Sequence, residues 1–185
     1  MAEQNSNVQL ATDFDMAPDA AERRLTARVF QAWSKSAGKS FPRRSQIDPT
    51  EFGLDWANCM MIDLDPVPAN SRFSYVGRAL RDLSWPTFER QPISECLEGS
   101  LLYLVAKAIP EIAQMKEPLS FSGAAFHQDA DILYRVTLLP LSEQGTKIDG
   151  VLAAIGFREI GAEKNVGIAA ESISKDGPQP HGFQT

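Results

Sequence analysis

The sequence is short of the residues that most often carry chemistry. It holds two cysteines and two histidines in 185 residues. Cys59 sits in the apolar run "ANCMMIDL" and Cys96 in "SECLEG"; two cysteines so placed read as reduced packing residues, not as a disulfide framework. His127 has no partner recognisable by spacing, and His181 lies near the end of the chain. No serine stands in a G-x-S-x-G turn, so no nucleophile with a base is readable. The glycine triplet of dinucleotide-binding turns is missing, as is a Gly-Lys-Ser/Thr phosphate loop. No window approaches the length of apolar residues that spans a bilayer. Positive charge is also scarce: 18 Lys and Arg stand against 24 Asp and Glu, giving a net charge of -6. Such a chain as a whole attracts neither nucleic acid nor an anionic membrane surface. The first residues lack the basic start and apolar stretch of a signal peptide, so a cytoplasmic protein is expected.

What is present suits one packed domain. Hydrophobic residues make up 43% and charged residues 23%, ordinary values for a globular chain of this length. Residues 1–18 are polar and acidic and read as a flexible arm; residues 161–185, rich in Gly, Pro and polar residues, read as a disordered tail. The domain is expected over residues 19–160.

Periodicity places the elements. Residues 19–37 predict an amphipathic helix, with Leu25, Val29 and Trp33 recurring every fourth position and Gly38 ending it. Asp48 and Pro49 predict a short helical turn. "NCMMIDLD" and "RFSYVG" read as a hairpin of two strands. A second helix is predicted over residues 97–115, with Leu101, Leu104, Val105, Ala108 and Ile112 on one side and a bend or break at Pro110. "PLSFSGAAFHQ", "DILYRVTLLPL" and "IDGVLAAIGFREI" are three strands joined by short polar connections, hence antiparallel neighbours. The fold class is α+β: a leading helix, two strands, inserted helices, then three strands.

The motifs in that order carry a resemblance. Pro42, Arg43, Arg44, Ile47, Asp48 and Pro49 form a "P-R-R-x-x-I-D-P" segment; Tyr75, Val76 and Gly77 end the second strand; Leu138 to Leu141 read "L-L-P-L". On these residues the chain resembles a bacterial family of stand-alone PAS-domain proteins over residues 25–160. The resemblance implies a five-stranded antiparallel PAS sheet with helices inserted between strands 2 and 3, and the first strand beside the last. It implies a non-enzymatic sensory or regulatory role, exerted by binding a small molecule or docking on a signalling protein. Arg78 after Gly77, and "LSWPTFERQP" in place of a "G-x-D-x-T-G" run, depart from the family's pattern. Residues 97–115 hold no histidine for haem, and "SECLEG" is not the "N-C-R-F-L-Q" of flavin photosensors; no cofactor is expected.

Several residues are candidates for contact. Trp85, Tyr103, Phe126 and Tyr134 are candidates to line a ligand pocket between sheet and helices. Leu25, Val29 and Trp33 form a stripe expected to be buried whether it packs on the chain's own sheet or on a second copy; the resemblance implies a homodimer through this helix, since PAS domains often pair through a leading helix. Arg43 and Arg44 either contact an anion or partner, or pair with Asp48 or Glu51 to pin the linker. The "FHQDAD" stretch is a turn, or places His127, Asp129 and Asp131 as metal ligands; the turn is favoured. The glycine between strand and helix at Gly77 reads as a plain corner. A small enzyme on a cone-shaped α+β scaffold is the alternative; it would place its helices before most of its strands.

Overall fold

The computed structural model describes residues 20–38, 40–82, 90–127 and 130–160, with the side chains of residues 20–23, 82, 126, 127 and 130 outside that description. Helix α1 spans Ala20–Ala37 and stops at Gly38, whose φ of +54° suits a residue without a Cβ. Helix α2 spans Pro49–Phe52; the Asp48 carboxylate caps it, accepting from Thr50 N at 2.9 Å, and Pro49 takes the first helical position. Strands β1 (Cys59–Asp63) and β2 (Arg72–Val76) form the expected antiparallel pair. Helix α3 spans Arg78–Asp82 and α4 spans Leu101–Met115. Strands β3 (Leu119–His127), β4 (Ala130–Leu141) and β5 (Gly150–Ile160) follow.

The five strands make one antiparallel sheet in the order β2-β1-β5-β4-β3. The first strand therefore lies inside the sheet, hydrogen-bonded to the last, and the helices between β2 and β3 cross one face. This is the PAS-like arrangement that the order of elements predicts.

Helix α4 differs from its predicted bounds. It starts at Leu101, not at residue 97, because Gly99 takes a φ of +84° and Ser100 caps the helix by accepting from Tyr103 N at 3.1 Å. Leu97 is left 63% exposed. The buried stripe is Leu101, Leu102, Val105, Ile109 and Ile112, so the inner face is rotated from the predicted one, with Leu104 and Ala108 at its margin. Pro110 stands on the exposed side and the helix runs through it to Met115.

Each face of the sheet has its own core. On one side Met60, Ile62, Phe73, Val136, Leu138, Val151 and Ile155 pack with α4, Leu80 and Ile93. On the other, Cys59, Met61, Leu139, Leu141, Leu152 and Ala154 pack with Val29 and Trp33 of α1, with Ile47 and with Phe52. Alternation along β1 and β5 splits neighbours between the two cores, as the two-residue period of a strand requires.

Candidate functional site

Gly77 is the corner where β2 turns into α3. Its N–H donates to Cys59 O at 2.8 Å, and its carbonyl accepts from Leu80 N and Arg81 N, both at 3.0 Å. A Cβ at this position would lie 2.3 Å from Ala57 O. The glycine is there for close approach of two backbones, not to cradle a phosphate. Arg78 beside it is exposed.

The predicted aromatic set is divided. Trp85 and the side chain of Phe126 lie outside the described residues. Tyr103 and Tyr134 both border the core between the sheet and α4. The Tyr134 ring covers Gly123 on the neighbouring strand, where a Cβ would meet the Tyr134 hydroxyl at 2.7 Å, and Phe121 stands edge-on to it with centroids 6.4 Å apart. Burial pushes the Tyr134 phenol above its ordinary value. Tyr103 sits at the start of α4 with the Lys107 ammonium 5.6 Å from its ring centroid. Leu102, Val105, Ile109 and Ile112 of α4 are buried in the same core that these two tyrosines border.

The arginine pair is also divided. Arg43 is exposed, and its backbone N–H donates to Gln46 Oε1 at 2.8 Å. The Arg44 guanidinium is engaged, but not with Asp48 or Glu51 as the sequence suggests. It forms an ion pair with Asp63 at the end of β1, and its backbone N–H donates to Glu143 Oε1 at 3.1 Å. Asp48 is committed to the α2 cap, and hydrogen bonds from Thr50 hold its carboxyl below the ordinary value.

The Leu25–Val29–Trp33 stripe faces inward. Val29 and Trp33 are 1% and 7% exposed, and Leu25 packs beside them. The Trp33 indole N–H donates to Pro140 O at 3.0 Å. Outside the stripe, the Arg28 guanidinium meets Asp55 through two hydrogen bonds of 2.5 and 2.6 Å. Within the chain these three residues bind the helix to its own sheet, where the "L-L-P-L" end of β4 offers both an apolar surface and the Pro140 carbonyl.

Clefts on the described surface lie on the other side of the sheet from α4 and at its margin. One, of about 340 Å³, is lined by Arg44, Met61, Ile62, Asp63, Leu141, Glu143, Asp149 and Gly150. Its polar groups bind one another: Ser74 Oγ donates to Asp63 at 2.9 Å, and Glu143 N donates to Asp149 at 3.0 Å. Another, of about 440 Å³, lies between Arg28 and Val29 of α1 and residues 50–55. Sequence reasoning missed the first because it joins positions from three distant segments. Among the described residues no group of three or more His, Cys, Asp or Glu is placed to hold a metal. His127 pairs through its backbone with Ala130, closing the β3–β4 hairpin, while Asp129 lies outside the described residues. Both cysteines are free and buried, Cys59 in the α1-side core and Cys96 in the α4-side core. No helix among the described residues is long and apolar enough to cross a membrane.

Neither a protein-family model nor a curated protein matches the chain. Among solved structures, the chain is similar to the LOV domain of a blue-light-activated histidine kinase from Erythrobacter litoralis, at 14% identity and a TM-score of 0.38, over 55% of this chain and 95% of that one. It is also similar to the PAS domain of an HTR-like protein from Haloarcula marismortui, at 18% identity and a TM-score of 0.31, over 76% of this chain and 98% of that one.

Proposed function

We propose that the chain is a non-enzymatic regulatory module of the PAS kind, acting in the cytoplasm and passing on its state by docking on a signalling protein. The observation that carries this reading is the strand order β2-β1-β5-β4-β3 with helices inserted between β2 and β3. A cone-shaped enzyme scaffold would place its helices before most of its strands; here two strands precede α4. The step from fold to role is one of analogy. The exposed Arg43 side chain is a candidate contact for a carboxylate of the partner. A small molecule, where one is bound, would enter beside Tyr103 and Tyr134.

A stoichiometry experiment tests the reading. The purified chain is incubated with a small-molecule cell extract, and the extract is followed by mass spectrometry. A regulatory module removes at most one equivalent of any compound, by binding. Catalytic depletion of one compound, with a product growing in proportion to time and protein, would overturn the reading.

A further inference from the structure

The two edges of the sheet are finished differently. The outer edge of β2 is occupied: Arg90 N donates to Phe73 O at 2.6 Å, Ile93 N donates to Ser71 O at 2.8 Å, and Arg72 bridges to Pro92. The Arg72 guanidinium adds a bond to Arg90 O at 2.8 Å. Strand β3, the other edge, pairs along all nine residues with β4 and has no second backbone partner among the described residues. Its sequence, "LSFSGAAFH", contains no Asp, Glu, Lys, Arg or Pro. Those are the residues by which natural edges resist further pairing, and an edge without them is a template for another strand.

We propose that β3 pairs antiparallel with β3 of a second copy across a twofold axis at Gly123, joining two sheets into one of ten strands. Two features suit this edge to a second copy. The first is charge. The chain carries -6 overall, so like copies repel over most of their surfaces, whereas this strip brings no charge to the contact. The second is self-complementarity. Gly123 is the middle residue of the nine, so the strand meets its own copy along its whole length. Phe121 then stands opposite Ala125 of the partner subunit, and Ser122 opposite Ala124 of the partner subunit. In the two pairs next to the axis, large meets small on the α4 side and small meets small on the exposed side. No side chain blocks the axis, and the Tyr134 ring already covers Gly123 from the α4 side. The contact is isologous and closes on itself, which limits it to a dimer. It uses none of the inward-facing α1 stripe, and it stands apart from the regulatory reading.

Sedimentation velocity on the full chain across micromolar concentrations tests the proposal. The parent sediments as a dimer. Ser122→Lys and Ala124→Lys alter exposed side chains of β3, and each weakens the dimer at least about tenfold by setting like charges beside the axis. Circular dichroism and melting show that these variants stay folded. Phe30→Lys, on the outer side of α1 where Phe30 is 42% exposed, leaves the dimer unchanged. A parent that is monomeric throughout, or a dimer that survives both β3 variants, overturns the proposal. So does a dimer dissolved by Phe30→Lys. Amide hydrogen exchange on the parent gives a reading free of variants. Protection over residues 119–127 must fall on dilution, and protection that does not change with concentration counts against the proposal.

Discussion

The two faces of the sheet are covered by helices of different standing. Helix α4 is tethered at both ends between β2 and β3, and it buries five aliphatic side chains. Helix α1 precedes the first strand and is joined to the domain only through its C-terminal end. Within the described residues it contributes Val29 and Trp33, with Leu25, Ala32 and Ala37 packed beside them. One cover is largely aliphatic; the other joins Trp33 to Ile47, Phe52 and the partly buried Phe41 and Trp56, with one indole hydrogen bond to Pro140 O and the Arg28–Asp55 pair. On the α4 side the burial free energy is spread over many residues. On the α1 side Trp33 is the largest buried ring, packed with Val29, Ile47 and Phe52. The same sheet therefore carries a largely aliphatic face and a face rich in aromatic rings.

The largest expected effect lies on the α4 side. Ile109 is 1% exposed, and Ile109→Ala should cost about 4 kcal/mol, because the surrounding strands cannot collapse into the space it leaves. Chemical denaturation measures this. A loss below about 1 kcal/mol would show that the α4 side is loosely packed, and the contrast between faces would fail.

A smaller effect sharpens the comparison, because each core contains one thiol. Burial pushes Cys96 from an ordinary 9.0 up to about 11. Burial first, and the Asp55 carboxylate second, push Cys59 further still, and its thiol donates to Asp55 O at 3.3 Å. A thiol whose folded value is raised stays neutral in the folded chain, so its stabilising contribution holds below pH 9.0 and is lost as pH rises toward about 11. At pH 8 the Cys96 thiolate is about a thousandth of the population, against about a tenth for an unperturbed thiol. With a thiol-specific reagent, Cys96 should react about a hundredfold more slowly in the folded chain than after unfolding. Its rate should climb with pH, and Cys59 should follow behind it. If Cys59 reacts first, the α1 side opens more readily than its packing implies.

Much of the fold is legible in the sequence because it is written in local periods. The alternation in "CMMID" and "GVLAAIG", the cap at Asp48 with Pro49, and the stop at Gly38 each state their element without help from distant residues. The start of α4 is less legible, since residues 97 to 99 continue a helix-like pattern that only the left-handed backbone at Gly99 interrupts. The partner of Arg44 is not legible at all. Asp63 is 19 positions away, while Asp48 and Glu51 stand close by, and only the folded path of β1 brings the distant acid to hand. Gly77 is legible as a corner but not as the close approach to Ala57 O that demands it. The apolar stripe of α1 states that the helix is covered, yet its period is the same whether the cover is the chain's own sheet or a second copy. Only the three-dimensional structure brings the Pro140 carbonyl to the Trp33 indole.

Trp33 therefore offers the most direct test of the central claim that α1 belongs to the chain's own core. Melting temperature and sedimentation are measured side by side on the parent and on Trp33→Ala at matched concentrations. The ring is 7% exposed and its N–H is bonded to Pro140 O, so the variant should lose about 3 kcal/mol. That corresponds to a melting temperature lower by roughly 10 °C. Its state of association at each concentration should match the parent's. An unchanged melting temperature together with a changed state of association would contradict the claim, because it would put the indole against a partner and not against Pro140.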